Sequence, residues 1–342
     1  MSAIDGLRAI AALSVCVYHF SNTIADGRPH LWPEPFQSIA DHGWAGVQIF
    51  FVLSGFVIAH SVRDQRITAS FFGRFALRRS IRLDPPYWVV IALSIVALML
   101  TGSAFPSAPT VVANMLYLDR LIGAPSLVKV GWTLALEIQF YLVFVLLIGV
   151  RQQVSRLGLL FVPLAIMSIG IYVKLIPLAW TGLFIVHWSF FFLGALVSWV
   201  LDGKTSARWL LALVGLELAT RDAGPIIAAG TALAIYAMGR RGVLETALSN
   251  RALQLVGRIS YSLYLIHPLV ANRPLRRLVV AFETPPTGLT ALALLLVALA
   301  AGLLASAAFY VAVEYPSWML SKKVRLDGAP VVPLTPARAL AD

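Results

Sequence analysis

The stretch IDGLRAIAALSVCVYHFSN, residues 4–22, is apolar enough to enter a bilayer, yet it carries Asp5, Arg8 and His19. Titratable groups inside a membrane span are costly to hold there and mark functional sites. An imidazole can take a proton near neutral pH, and a guanidinium can grip phosphate in a forked geometry. Their spacing is informative. A helix turns about 100° per residue, so eleven steps from Arg8 to His19 end roughly 20° past three full turns. The two side chains share one face, about 16 Å apart along the axis. Asp5, Ala12 and Val15 fall on the same stripe, and the small Ala12 leaves a groove where a ligand or another helix can approach. Plainer roles are open to each residue. Arg8 can snorkel to the headgroups as an anchor, His19 can be a neutral histidine paired in the bundle, Asp5 can be a helix N-cap, and Cys16 is a core residue by size.

Further chemistry lies downstream. The segment 63–82 is the most basic of the protein, and its run RRSIRLDPPYW sets Arg78, Arg79 and Arg82 on one turn at the lip of a helix opened by Pro85-Pro86. Such a mouth, on the same side as Arg8, suits a long anionic ligand with phosphorylated groups. A basic loop between two spans is also ordinary. In GWTLALEIQFYLVF, Glu137 is a lone carboxylate within a span and needs a partner in the bundle; Phe140 and Tyr141 share its face. Trp132 sits where a membrane interface is expected. In GRISYSLYLIHPLV, His267 is a second candidate titratable group, with Pro268 suggesting a helix end. Glu314, in VEYP, closes the last helix near the cationic mouth.

The elements that must position these groups are transmembrane helices. The chain has 342 residues, of which 59% are hydrophobic and only 13% charged, against about a quarter charged in soluble domains. Mean hydropathy is +0.82. The net charge of +11 therefore reports cytoplasmic loops rather than nucleic acid. One cysteine allows no intrachain disulfide. The N-terminus lacks the basic lead and cleavage site of a secretory signal. Spans of about 20 apolar residues are expected near 5–24, 43–62, 84–102, 131–150, 157–175, 180–201, 208–220, 224–239, 252–271 and 288–313. Gly43, Gly46, Ser54 and Gly55 suit close helix packing in the second. The greater part of the 27 Lys and Arg falls on one side, so the fold expected is an all-α bundle of about ten spans with both termini cytoplasmic. Residues 1–325 form the membrane domain, and the Pro/Ala-rich tail 326–342 is expected to be disordered.

These motifs in order, DGLRAIAALSVCVYHF, GVQIFFVLSGFVI, RRSIRLDPPYW, WTLALEIQFY, GRISYSLYLIHPLV and VEYP, resemble the integral membrane acyltransferase family 3, from residue 5 to about 320. The resemblance implies acylation of sugars and other hydroxylated compounds, with cytoplasmic acyl-CoA, most often acetyl-CoA, as co-substrate and the acceptor on the outer face of the cell membrane. It implies a catalytic role for His19 and donor binding by Arg8, Arg78, Arg79 and Arg82. Asp5, Ser54, Trp132, Tyr141, His267 and Glu314 are supporting candidates. Neither a metal nor a tightly bound cofactor is expected. Asp84 stands where an apolar or aromatic residue is usual. Many relatives carry an esterase-like domain after the membrane part, and this chain is expected to work without one or with a separate protein.

The expected mechanism has His19 as general base on an acceptor hydroxyl, with Glu137 orienting His19 or the acceptor; a histidine can also relay the acyl group covalently. The competing reading is a transporter or flippase for a lipid-linked sugar or small solute. Ten helices and buried charges suit it, but paired broken helices and internal repeats, the usual signs, are lacking.

Overall fold

The structure is a computed structural model and describes residues 1–26, 31–154, 160–178, 182–270, 274–282 and 286–326. The expected disordered tail lies, except for its first residue, outside them. The described residues form helices and connecting turns without a β-sheet. Helix α1 is Ser2–Ala25, followed by the short α2, Phe36–Asp41, and by α3, Gly46–Ser61. Next come α4, Ala69–Met99, the short α5, Ala108–Met115, and α6, Gly131–Gln153. Then follow α7, Phe161–Tyr172, α8, Trp188–Leu201, α9, Ala207–Ala219, and α10, Ala223–Arg240. The last are α11, Arg251–Arg258, α12, Ser260–Val270, α13, Arg276–Val280, α14, Gly288–Phe309, a π-helical turn at Tyr310–Glu314, and α15, Tyr315–Ser321.

Each of the ten segments expected to span contains helix. Among the described residues, six helical stretches are by themselves long and apolar enough to cross a membrane: Ser2–Ala25, Phe36–Ser61, Ala69–Met99, Gly131–Gln153, Phe184–Leu201 and Gly288–Ser321. The chain is a multi-pass membrane protein. The expected ninth span is two pieces, α11 and α12, with a turn at Ile259 between them. The fifth and seventh are 12 and 13 residues long.

Two local expectations are corrected. Pro85-Pro86 does not open the third span. α4 begins at Ala69, where the Thr68 hydroxyl accepts from the Phe71 N–H at 3.1 Å, and it carries both prolines in its interior. The basic segment is therefore largely helix, not loop. At 31 residues and ~1.5 Å each, α4 is about 46 Å long, more than the ~30 Å of hydrocarbon it must cross. Asp5 is not an N-cap either. α1 starts at Ser2, and Asp5 lies in its first turn, 3.9 Å from the N-terminal ammonium, where a carboxylate complements the helix dipole.

Packing follows membrane rules. Lipid tails are as apolar as leucine, so helices associate through close van der Waals contact, which small residues permit. A Cβ on Gly55 of α3 would stand 1.8 Å from the Phe191 carbonyl oxygen, and one on Gly194 of α8 would stand 1.9 Å from that of Val52. The two backbones touch at both points. Beside this seam lies an aromatic core in which Phe140 stacks on Phe191 at 4.2 Å and Trp188 meets Phe140 edge-on at 5.6 Å. This rigid half of the molecule fixes α3 and α6 against the helices that carry the charged groups.

Candidate active site

Three guanidiniums converge on one cavity. Arg8 comes from α1, and Arg79 and Arg82, one turn apart, come from α4; Ser54, Thr133, Glu137, Tyr141, Ser260, Tyr261 and Tyr264 complete the polar lining. The cavity has a volume of about 90 Å³. Arg8 Nε donates to the Ser260 hydroxyl at 3.3 Å. The Arg79 guanidinium stands 5.0 Å from the ring centroid of Tyr141 and 5.5 Å from that of Phe75, within cation–π reach. Glu137 accepts hydrogen bonds from the hydroxyls of Tyr141 and Ser54. Tyr141 and Glu137 are four residues apart on α6, which puts both on the cavity face. Behind the cavity Glu314, only 4% exposed, accepts from the backbone N–H of Ser262 at 3.1 Å and from its hydroxyl at 2.5 Å. It interacts electrostatically with Arg82 and Arg8. The π-helical turn at Tyr310–Glu314 ends on this carboxylate, and such turns recur at functional sites.

His19 lies elsewhere. It lines a second, open cleft of about 1400 Å³ together with Asn22, Asp26, Ser94, Lys129 and residues of α12 and α13. Its ring meets that of His267 at 5.0 Å. His267 is fully buried, and its Nδ1 lies 3.2 Å from the Leu263 carbonyl oxygen. A carbonyl only accepts, so Nδ1 is the donor in this contact. The His267 Nε2 is buried without a hydrogen-bond partner among the described residues.

Cavity and cleft share their walls. α1 gives Arg8 to one and His19 to the other, α4 gives Arg79 and Arg82 against Val90 and Ser94, and α12 gives Tyr264 against Leu265. Residues 126–137 likewise run from Lys129 in the cleft to Glu137 in the cavity. The two chambers stand in series along the bundle.

Of the residues singled out from sequence, Arg8, Arg79, Arg82, Ser54, Glu137 and Tyr141 meet in the cavity, with Glu314 behind it. His19 and His267 meet at the cleft. Glu137 lines the cavity and not the cleft. Arg78 and Asp5 line neither. Trp132 packs inside the bundle against Phe51 and His187, with the Arg120 guanidinium 5.2 Å from its ring. Asp84 has a local role, accepting from the hydroxyls of Ser80 and, at 3.0 Å, Tyr117. Sequence reasoning missed Ser260, Tyr261 and Tyr264 as lining. Their spacing of one, three and four residues, one turn before His267, was the available signal.

A helical bundle with several membrane-crossing stretches, an arginine-lined cavity and a histidine-lined cleft in series defines a multi-pass membrane protein. The chain belongs to the family described as "Acyltransferase domain", which it matches over residues 1–311. It is 33% identical over 159 residues to the peptidoglycan O-acetyltransferase OatA of Listeria monocytogenes, covering 42% of this chain and 23% of that protein. It is 30% identical over 173 residues to the putative peptidoglycan O-acetyltransferase YrhL of Bacillus subtilis, covering 45% and 24%. Nodulation protein 10 of Rhizobium leguminosarum is 26% identical over 314 residues, covering 78% and 82%. The matched part is thus about a quarter of the length of the first two relatives. No solved structure matches the chain.

Proposed function

We propose that this chain moves an acyl group, acetyl in the first instance, from cytoplasmic acyl-CoA to a hydroxyl of a glycan or related acceptor. It does so from the cell membrane, with both termini inside. The observation that carries this reading is the meeting of Arg8, Arg79 and Arg82 at one end of α1, whose other end presents His19 to an open cleft. Three guanidiniums in a membrane interior face one carboxylate in the lining and a second behind it. An anionic donor balances that charge, since buried cations need partners. The nucleotide and phosphates of coenzyme A supply such anions, and guanidinium–phosphate pairing supplies the geometry.

The donor enters on the arginine side, and its thioester reaches along α1 toward His19. The ~16 Å between the two α1 positions is comparable to an extended pantetheine arm. His19 takes the proton of the acceptor hydroxyl, and the oxygen attacks the thioester carbonyl. The C–S bond breaks, and coenzyme A leaves as the thiol with the proton from His19. His267, whose ring lies against that of His19, holds the imidazole in place. Glu137, fixed by Tyr141 and Ser54, keeps the arginines of the donor site apart and oriented.

The test is acetyl-CoA binding by the purified protein, followed by transfer of labelled acetyl in membranes from producing cells. Arg8→Ala and Arg82→Ala are expected to weaken binding. His19→Ala is expected to bind acetyl-CoA normally and to lose transfer by about 10²-fold or more, the usual contribution of a general base. Full transfer by His19→Ala would overturn the base assignment. A protein that binds no acyl-CoA would overturn the donor assignment and favour transport.

A further inference from the structure

The His19 cleft joins positive charge to exposed apolar surface. Lys129, Arg276 and Arg277 line it, and Asp26 is the one acidic side chain among its described lining residues. Asp26 Oδ1 lies 3.7 Å from Arg276 Nη2, which leaves the exposed Lys129 and Arg277 facing the cleft. No ion pair engages either among the described residues. Lys129 interacts electrostatically with His19 itself. In the orientation proposed above, this is the outward side, the side that membrane proteins keep poor in Lys and Arg. Two unpaired cations beside the candidate base are not explained by topology.

One stretch of the wall is apolar. Leu93 and Val96 of α4, Leu100 just after it and Val280 of α13 line the cleft and are 42%, 53%, 79% and 66% exposed. A water-soluble sugar gains nothing from that wall, whereas a hydrocarbon chain does, by about 25 cal/mol for each Å² covered.

We propose that the acceptor is a lipid-borne phosphate compound. Its chain lies along α4, its phosphate meets Lys129 and Arg277, and its hydroxylated head group stands at His19. The role of the head group rests on the acyl-transfer reading; the cleft's selectivity for anionic lipid does not. A lipid-linked sugar diphosphate and a bilayer phospholipid with a hydroxylated head group share this chemistry.

The experiment titrates the purified full chain, in neutral detergent, with three fluorescent probes. These are a polyprenyl diphosphate N-acetylglucosamine, an uncharged alkyl N-acetylglucosaminide and phosphatidylglycerol. The diphosphate lipid is expected to bind at least about tenfold more tightly than the uncharged glycoside, as a charge-assisted contact predicts. The double variant Lys129→Gln/Arg277→Gln is expected to erase that preference while binding acetyl-CoA normally, which shows that it is folded. Phosphatidylglycerol that displaces the sugar lipid supports the proposal with a bilayer lipid as the source. Failure to displace it supports the proposal with the sugar lipid as the source. Equal affinity for charged and uncharged lipids, or a double variant that keeps the preference, would overturn it. If the preference holds but no probe is ever acetylated in the presence of acetyl-CoA and membranes, the acyl-transfer reading fails and the lipid site stands.

Discussion

Arg78, Arg79 and Arg82 look equivalent as a basic run, but only the last two line the cavity. Arg79 is held over Tyr141, and Arg82 faces Arg8 and the carboxylate of Glu314. Arg82→Gln is therefore expected to weaken acetyl-CoA binding about tenfold or more, the worth of one charge-assisted contact. Arg78→Gln is expected to leave it within twofold or so, since Arg78 is half-buried but lines neither chamber. Titration of the two proteins side by side checks this, and equal losses would mean that the run acts only through its overall field. At this scale the sequence showed the charged residues well, because charge inside a span is conspicuous. It could not divide them between two chambers. Arg8 and His19 share a stripe on one helix, yet the residues packed against that stripe change along its length, from Ser260 at one end to His267 at the other. Glu137 illustrates the same limit. Its need for a partner was evident, but which partner depended on α3 bringing Ser54 to it across 83 positions of sequence.

Helix contacts are decided by backbone proximity that only certain residues allow. Gly55 illustrates this: a methyl there meets the Phe191 carbonyl oxygen at 1.8 Å, which forces α3 and α8 apart. Gly55→Ala is expected to lower thermal stability in detergent by about 1–3 kcal/mol, the range for overpacking. Gly73 lies on the exposed face of α4 with nothing within 4 Å of its added Cβ. Gly73→Ala is expected to be neutral or to stabilise by up to ~1 kcal/mol through helix propensity. Thermal unfolding of both variants makes the comparison, and similar behaviour would mean that the seam between α3 and α8 is looser than its geometry indicates. The small residues of the second span and the positions of most helices were legible, because hydropathy and glycine spacing are local. The start of α4 was not. Two consecutive prolines read as a helix opening, since proline lacks the N–H that an interior position uses. Inside a bundle, neighbouring groups satisfy the freed carbonyls and such interruptions are tolerated, so α4 runs on to its cap at Thr68.

For the whole molecule the order of the two chambers depends on which way the bundle sits. α4 tests this best, because it is about 46 Å long, flanks both chambers and ends in loops of opposite character. Arg66 lies just before it and Ser103 just after, and both are exposed. The arginine cavity sits toward the Arg66 end and the His19 cleft toward the Ser103 end. If acyl-CoA arrives from the cytoplasm, Arg66 must be inside and Ser103 outside. The single cysteine, Cys16, is buried and can be replaced by serine to give a silent background. In that background, Ser103→Cys is expected to react with a membrane-impermeant maleimide on intact cells. Arg66→Cys is expected to react only after permeabilisation. The reverse pattern would place the arginine cavity outside, beyond the reach of cytoplasmic coenzyme A, and the donor would have to be another outward-facing anion. Labelling of both positions from one side would mean that α4 does not cross the membrane. The cavity and the cleft would then open to the same compartment, and a transfer between two faces of the bilayer would lose its structural basis.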